Sequence, residues 1–299
     1  MGPTGAGKST FINSLIGQQR MTVGTTLKSQ TSDLADALLD MRRYPGTFGG
    51  KYQIVVVDTP GFDDTAKSDV LILKKIAEWL EKSYMKDGAI LGGVIYLHDV
   101  SLDRFTGTAQ RNLDMFQALC GQGALSKVIL GTTKWGRISD RRAQAHEDEL
   151  KRDHWKTLIA EGAKVRSFKH RNDTESAWRF IDIVVALVKK EDLNEVYLQI
   201  QRELGDEKKL IPETDAGKAL RATLKEILDM EKQVAGLERN MAEGGDDRAQ
   251  AKLLEAEEQI NRLLKQIDDL KVPLSRRFQR FISRFKFQVR CWQVVGENA

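Results

Sequence analysis

Apolar residues fall along this chain in two regimes. Up to about residue 190, short β-branched runs alternate with amphipathic stretches. Residues 54–57 lead into Asp58, 93–97 (GVIYL) and 127–132 (KVILGT) are two further runs, and 163–168 (AKVRSF) is a weaker fourth. Between them apolar positions recur with helical period over 9–17, 66–82, 108–120, 140–160 and 175–189. Strands alternating with helices of this length predict a mostly parallel sheet with helices on both faces. Residues 32–52 read both ways. The composition (ADALLDM) favours a helix, whereas the position suits an edge strand and hairpin.

Beyond residue 191 the strand-like runs stop. Leu220, Ile227, Val234 and Met241 recur every seven residues, with Leu224, Met230 and Leu237 in the second seam. Gly244 and Gly245 interrupt, and Leu253, Ile260 and Ile267 resume the repeat beside Ala256, Leu263 and Leu270. The pattern predicts two helices joined at the glycine pair, as a hairpin or as a coiled coil that joins two copies of the chain. A helix pair packed on the first domain fits the same pattern.

A length of 299 residues holds one large domain with something smaller, and it suffices for a core without disulfide or metal staples. The expected division is 1–190, an α/β domain; 191–272, a helical extension; and 273–299, a basic aromatic tail. Mean hydropathy is −0.42 with 30% charged residues, a soluble pattern. No apolar run reaches 18 residues and no secretory leader is visible, so a cytoplasmic protein is expected. Two widely spaced cysteines, Cys120 and Cys291, exclude a disulfide scaffold. The net charge of +4 is uneven: residues 273–299 carry six bases against Glu297, and the rest of the chain sums to −1. The body therefore has no general nucleic-acid footprint, and no nucleic-acid partner is expected.

Candidate chemistry begins at the first residues. Gly2, Pro3, Thr4, Gly5, Ala6, Gly7, Lys8 and Ser9 fit GxxxxGK[ST], with Thr10 next. Glycines let such a loop turn its amides inward onto phosphate oxygens, and the following helix adds its positive end. Lys8 supplies a point charge to the β- and γ-phosphates, and Ser9 a hydroxyl to Mg²⁺. This motif ordinarily follows a central strand, yet only Met1 precedes Gly2. The expectation is a sheet lacking its first strand, in a chain that starts inside its domain. At 54–61 a buried strand ends in Asp58 and runs into Thr59-Pro60-Gly61. Asp58 reaches Mg²⁺ through water, and Gly61 lets its amide approach the γ-phosphate.

These segments carry a family resemblance. DTPGFDDT resembles the third G-box of GTPases related to septins and to the AIG/GIMAP/Toc group. VGTTLKSQT, GVIYLHDVSLDRFTGTAQRNLDMFQALCG, GTTKW and IPETDAGKALR resemble fungal AIG-like G-domain proteins, over most of residues 1–225. The resemblance implies a P-loop NTPase fold, a three-layer α/β/α sandwich, that binds GTP or GDP with Mg²⁺ and turns GTP over slowly. It implies Ser9, Thr31 and Asp58 at the metal, with Thr25 and Thr26 competing with Thr31 for the switch-loop role. It also implies pairing of nucleotide faces between two copies. Phe62 stands where Ras-like GTPases carry a water-orienting glutamine, so positioning of water must come from elsewhere. Thr133 and Lys134 match the base-recognition box, but Gly136 stands where that box has an aspartate. Guanine loses a contact worth roughly 1.5–3 kcal/mol, and base selectivity is expected to relax. Asp140 is near but out of register. The fifth box falls near 166–168.

The remaining candidates are weaker. His98 reads either as a strand-end base or as a histidine capped by a backbone carbonyl, and Arg104 as a trans-acting finger or a solvated side chain. Trp79, Trp155 and Trp178 are expected in the core. In the tail, Phe278, Phe281, Ile282 and Phe285 follow i, i+3, i+4, i+7 among arginines, which suits an anionic membrane surface or an acidic partner. Residues 285–295 (FKFQVRCWQVV) alternate and fit a strand instead, and packing of the tail on its own domain is the alternative to a partner. The rival functions are a degenerate nucleotide-binding scaffold without hydrolysis and an NTPase of relaxed base specificity.

Overall fold

The structure is a computed structural model, and it describes residues 1–19, 21, 34–45, 53–62, 68–85, 91–170, 173–190, 197–244 and 246–272. The chain divides into two compact units at Thr223/Leu224. The five strands are β1 Ala35–Leu38, β2 Val55–Asp58, β3 Val94–Asp99, β4 Val128–Thr133 and β5 Lys164–Ser167, the last four arising from the four strand-like runs. β3, β4 and β5 form a parallel sheet in that order, and β1 pairs antiparallel with β2 in a second sheet. The ambiguous segment after residue 32 thus supplies an edge strand, with a 3₁₀ turn at Met41–Arg43. Pairing with β2 outweighs the helical composition there.

The single expected sheet is therefore two sheets among the described residues. Met1 lies where the loop's preceding strand is expected. Its amino group donates to the Ile95 carbonyl at 2.6 Å, and its carbonyl accepts from the Leu97 amide at 2.9 Å. That is the bonding of a parallel bridge to β3.

The first-unit helices are α1 Lys8–Ile16, α2 Asp69–Met85, α3 Gly107–Cys120, α4 Asp140–Glu149, α5 Lys156–Ala160, α6 Thr174–Lys190 and α7 Gln199–Gly205. The stretch expected as one helix over 140–160 is broken by a π-turn at Leu150–His154. Side chains alternate across β3. Ile95 and Leu97 join α1 and α6 in one core with Phe11, Phe168 and Phe180. Phe11 meets the other two rings edge-on, at 5.4 and 5.1 Å. Tyr96 points to the other face, 4.8 Å from Phe116 of α3. Helices thus cover both faces of the β3–β4–β5 sheet, which is the three-layer α/β/α architecture. Burying each of these rings contributes about 1.5–3 kcal/mol.

The second unit holds most of α8, Asp215–Glu243, and all of α9, Asp247–Asp269. Asp246 caps α9 through the Arg248 and Ala249 amides. Ala235 packs with Leu253 and Ala256, and Arg239 pairs with Glu257 at 2.9 Å, so α9 runs back along α8. Among the described residues no helix is long and apolar enough to cross a membrane.

Candidate functional site

Parallel strands deliver their C-terminal ends to one edge, where the turns that follow collect polar groups. Here Asp99 is level with Thr133, and Thr132 with Ser167. The Gly2–Ser9 loop lies at this edge. No side chain caps α1, and its N-cap Gly7 has φ 87°, a left-handed conformation that disfavours a side chain. Lys8 Nζ reaches back over the loop to the Gly2 and Pro3 carbonyls at 3.0 and 2.9 Å. Ala6 is buried, and its carbonyl accepts from Thr133 Oγ1 at 2.8 Å. The same hydroxyl lies 3.2 Å from the His98 carbonyl. Thr133 thereby ties the loop to β3 and β4. Thr10 is partly exposed in the first turn of α1.

Ser9 Oγ donates to Asp58 Oδ2 at 2.6 Å. The two residues come from segments 49 positions apart. Asp58 is buried, and its Oδ1 has no hydrogen-bond partner among the described residues. A buried carboxylate oxygen left without a donor is costly unless a ligand or cation completes it. A serine hydroxyl beside such a carboxylate is a hard oxygen set that fits Mg²⁺. Gly61 then crosses the loop: a Cβ there would stand 2.4 Å from the Thr4 amide nitrogen, so only glycine allows this approach. Thr4 Oγ1 lies 3.3 Å from the Gly61 carbonyl, and the Thr4 amide 3.4 Å from the Phe62 carbonyl. Phe62 is buried, so its ring offers nothing to an attacking water.

At the base-recognition segment, Lys134 adopts φ 63° and its ammonium bonds Asp99 Oδ2 at 2.6 Å. Gly136 is exposed, and no atom would lie within 4 Å of a Cβ there. Asp140 is exposed in the first turn of α4.

Glu147 is a residue that sequence reasoning passed over. It is buried and accepts from Thr132 Oγ1 at 2.5 Å, Ser167 Oγ at 2.6 Å and Lys151 Nζ at 2.5 Å. Burial alone would raise its carboxyl, but these three donors together hold it below the ordinary value. Trp135 Nε1 donates in turn to Thr132 Oγ1 at 3.0 Å. Glu147 thus braces the ends of β4 and β5 that flank the base loop. Its signal was an acid in register with the buried Ala143 and Leu150 on the inner face of its helix.

Among the described residues no backbone carbonyl caps His98 Nδ1. Its ring lies 5.4 Å from Phe105 and 6.3 Å from Trp155, and Nδ1 has no partner. Burial, with His154 adding to it, pushes its pKa down to about 4 against the opposing Asp99 charge. It is a neutral core histidine at neutral pH. Trp155 and Trp178 are buried, Trp79 is half-buried, and Arg104 is exposed. Thr25, Thr26, Thr31 and the tail 273–299 lie outside the described residues. Among the described residues no three His, Cys, Asp or Glu side chains gather in a metal-binding group.

Fold and loop together define a P-loop G domain. The AIG1 family model matches residues 1–206, and the chain belongs to the AIG1 family. It is similar to cell division control protein 11 of Saccharomyces cerevisiae, with 38% identity over 69 residues, which are 22% of this chain and 17% of that protein. Among solved structures it is similar to Toc33 of Arabidopsis thaliana in complex with GDP and Mg²⁺, at 15% identity and TM-score 0.45, over 64% of this chain and 83% of that one. The complex of Toc33 with Mg²⁺ and GMPPNP gives 16% identity and TM-score 0.45, over 62% and 82%.

Proposed function

We propose that this protein binds GTP and GDP with Mg²⁺ and hydrolyses GTP slowly, acting as a nucleotide-dependent switch or assembly module. The observation that carries the reading is the Ser9–Asp58 hydrogen bond beneath the Lys8 loop. Family membership supplies the nucleotide class. Gly2, Pro3, Thr4, Gly5, Ala6, Gly7 and Lys8 would hold the phosphates, with Thr10 at the helix start. Ser9 would bind the metal, Asp58 would hold its water shell, and Thr31 would join them from the switch segment. The metal would neutralise phosphate charge. Gly61 would sense the γ-phosphate from its close approach to Thr4 of the loop. Thr133 would hold the loop in place and Lys134 would lay its stem on the base.

Slow turnover follows from Phe62, which cannot orient water. A second copy facing the nucleotide would supply that positioning, so turnover should rise with protein concentration. The basic tail would serve peripheral association of a cytoplasmic protein. The open space at Gly136 favours a second reading, an NTPase that admits ATP as well as GTP. Phosphate release from GTP and ATP, measured over a range of protein concentrations, tests the proposal. GTP-selective release that is lost in Lys8→Ala supports it. Tight binding with no release would leave a nucleotide-binding scaffold.

A further inference from the structure

Two apolar seams run along the part of α8 in the second unit, and α9 covers one of them. Leu228 and Ala235 are buried on the covered side. Of the seven-residue repeat read from the sequence, Leu220 and Leu224 are buried, and the later members lie on the other side. Met230 is 48% exposed, Val234 45%, Leu237 66% and Met241 53%, and Ile227 at its start is half-buried. These five positions follow a/d heptad spacing over about four turns. Their flanks are acidic: Glu226 lies on one side, Glu231 and Glu238 on the other, while Lys225, Lys232 and Arg239 fall on the far face of the helix. Glu238 Oε2 is buried without a partner, and its other oxygen lies 3.6 Å from Lys252.

We propose that this seam is the docking site of the chain's own basic segment, residues 276–290. Three observations single out that occupant. The first is charge. Residues 224–272 contain 12 acids and 8 bases, a net −4, whereas 273–299 carry +5. A second α8 laid on the seam would set Glu226, Glu231 and Glu238 against their own counterparts. The second is pattern. Phe278, Phe281, Ile282 and Phe285 form one apolar stripe at helical spacing, with Arg277, Arg284 and Lys286 beside it. The third is reach. α9 returns along α8, so the chain leaves Val272 at the end of the seam away from Gly244. Residues 276–290 as a helix would span about 21 Å, the same length as Ile227 to Met241. Docked, the segment would complete a three-helix unit and withhold its aromatic stripe from other partners.

The test places the photo-crosslinking residue p-benzoylphenylalanine at Leu237 of the full chain, with a second variant at Val234 should the first not fold. Irradiation should give a product of monomer mass whose peptides map to 276–290. Arg277→Glu with Arg284→Glu should cut its yield at least fivefold, and adding Glu226→Lys with Glu231→Lys should recover most of it. Crosslinks at dimer mass, crosslinks confined to other segments, or a yield indifferent to charge reversal would overturn the proposal.

Discussion

Ser9 and Asp58, 49 residues apart in the chain, are joined by a 2.6 Å hydrogen bond that leaves Asp58 Oδ1 buried and unpartnered. The bond sets a hydroxyl and a carboxylate side by side at the mouth of the phosphate loop, before any ligand is considered. Ser9→Ala should act in two ways. Without ligand, Asp58 loses the Ser9 hydroxyl as donor, which lowers stability by about 1–3 kcal/mol. With ligand, nucleotide affinity should become nearly independent of Mg²⁺. Denaturant unfolding and titrations with and without Mg²⁺ read the two effects separately. An unchanged Mg²⁺ response would remove Ser9 from the metal.

Gly61→Ala probes the contact over the loop. The added methyl would sit 2.4 Å from the Thr4 amide nitrogen, closer than any relaxed structure allows. Either Gly61 or the loop must shift, at about 1–3 kcal/mol. The melting temperature of the ligand-free protein should fall by several degrees, and GTP affinity should change with it. A variant with wild-type stability would show that this approach does not form.

Gly136→Asp restores the acid that guanine recognition lacks. Open space surrounds the position, so the substitution should be tolerated. A charge-assisted pair worth roughly 1.5–3 kcal/mol raises the preference for GTP over ATP by about 10- to 100-fold. Competition binding with both nucleotides measures it. An unaltered ratio would mean that the base lies elsewhere.

His98 gives a pH dependence with a defined sign. Its pKa falls from 6.5 in the unfolded chain to about 4 in the folded protein. Between these values the unfolded chain takes up a proton that the folded protein refuses. Stability from this group is therefore complete above about pH 6.5 and is lost as pH falls toward 4, by at most about 3 kcal/mol. Urea unfolding of His98→Gln should show a shallower decline across this window. Equal slopes for wild type and variant would assign acid sensitivity to other groups.

Much of this was legible from residue order, because the phosphate loop and the strand ending in Asp58 are local patterns with local causes. The β-branched runs became β2, β3 and β4 nearly residue for residue. Three features were not legible. The strand at Ala35–Leu38 exists because β2 offers a partner, and no local pattern encodes a partner. Glu147 looked like one more acid on a charged helix, and only folding sets it beneath Thr132 and Ser167. In α8 the seven-residue spacing predicts the helix that is present, but periodicity does not say which seam a neighbouring helix covers. The small residue Ala235 let α9 approach on one side and left Met230, Val234, Leu237 and Met241 outside.

The central claim is that the loop around Lys8 holds a guanine nucleotide through Mg²⁺. Equilibrium affinities of the whole chain for GTP, GDP and ATP, with and without Mg²⁺ and with Lys8→Ala as control, test it most directly. The account predicts Mg²⁺-dependent binding of GTP, weakened at least 100-fold in Lys8→Ala, with ATP weaker than GTP by a smaller factor than in G domains that carry the aspartate. Equal, Mg²⁺-independent binding by wild type and Lys8→Ala, or no binding by either, would contradict it.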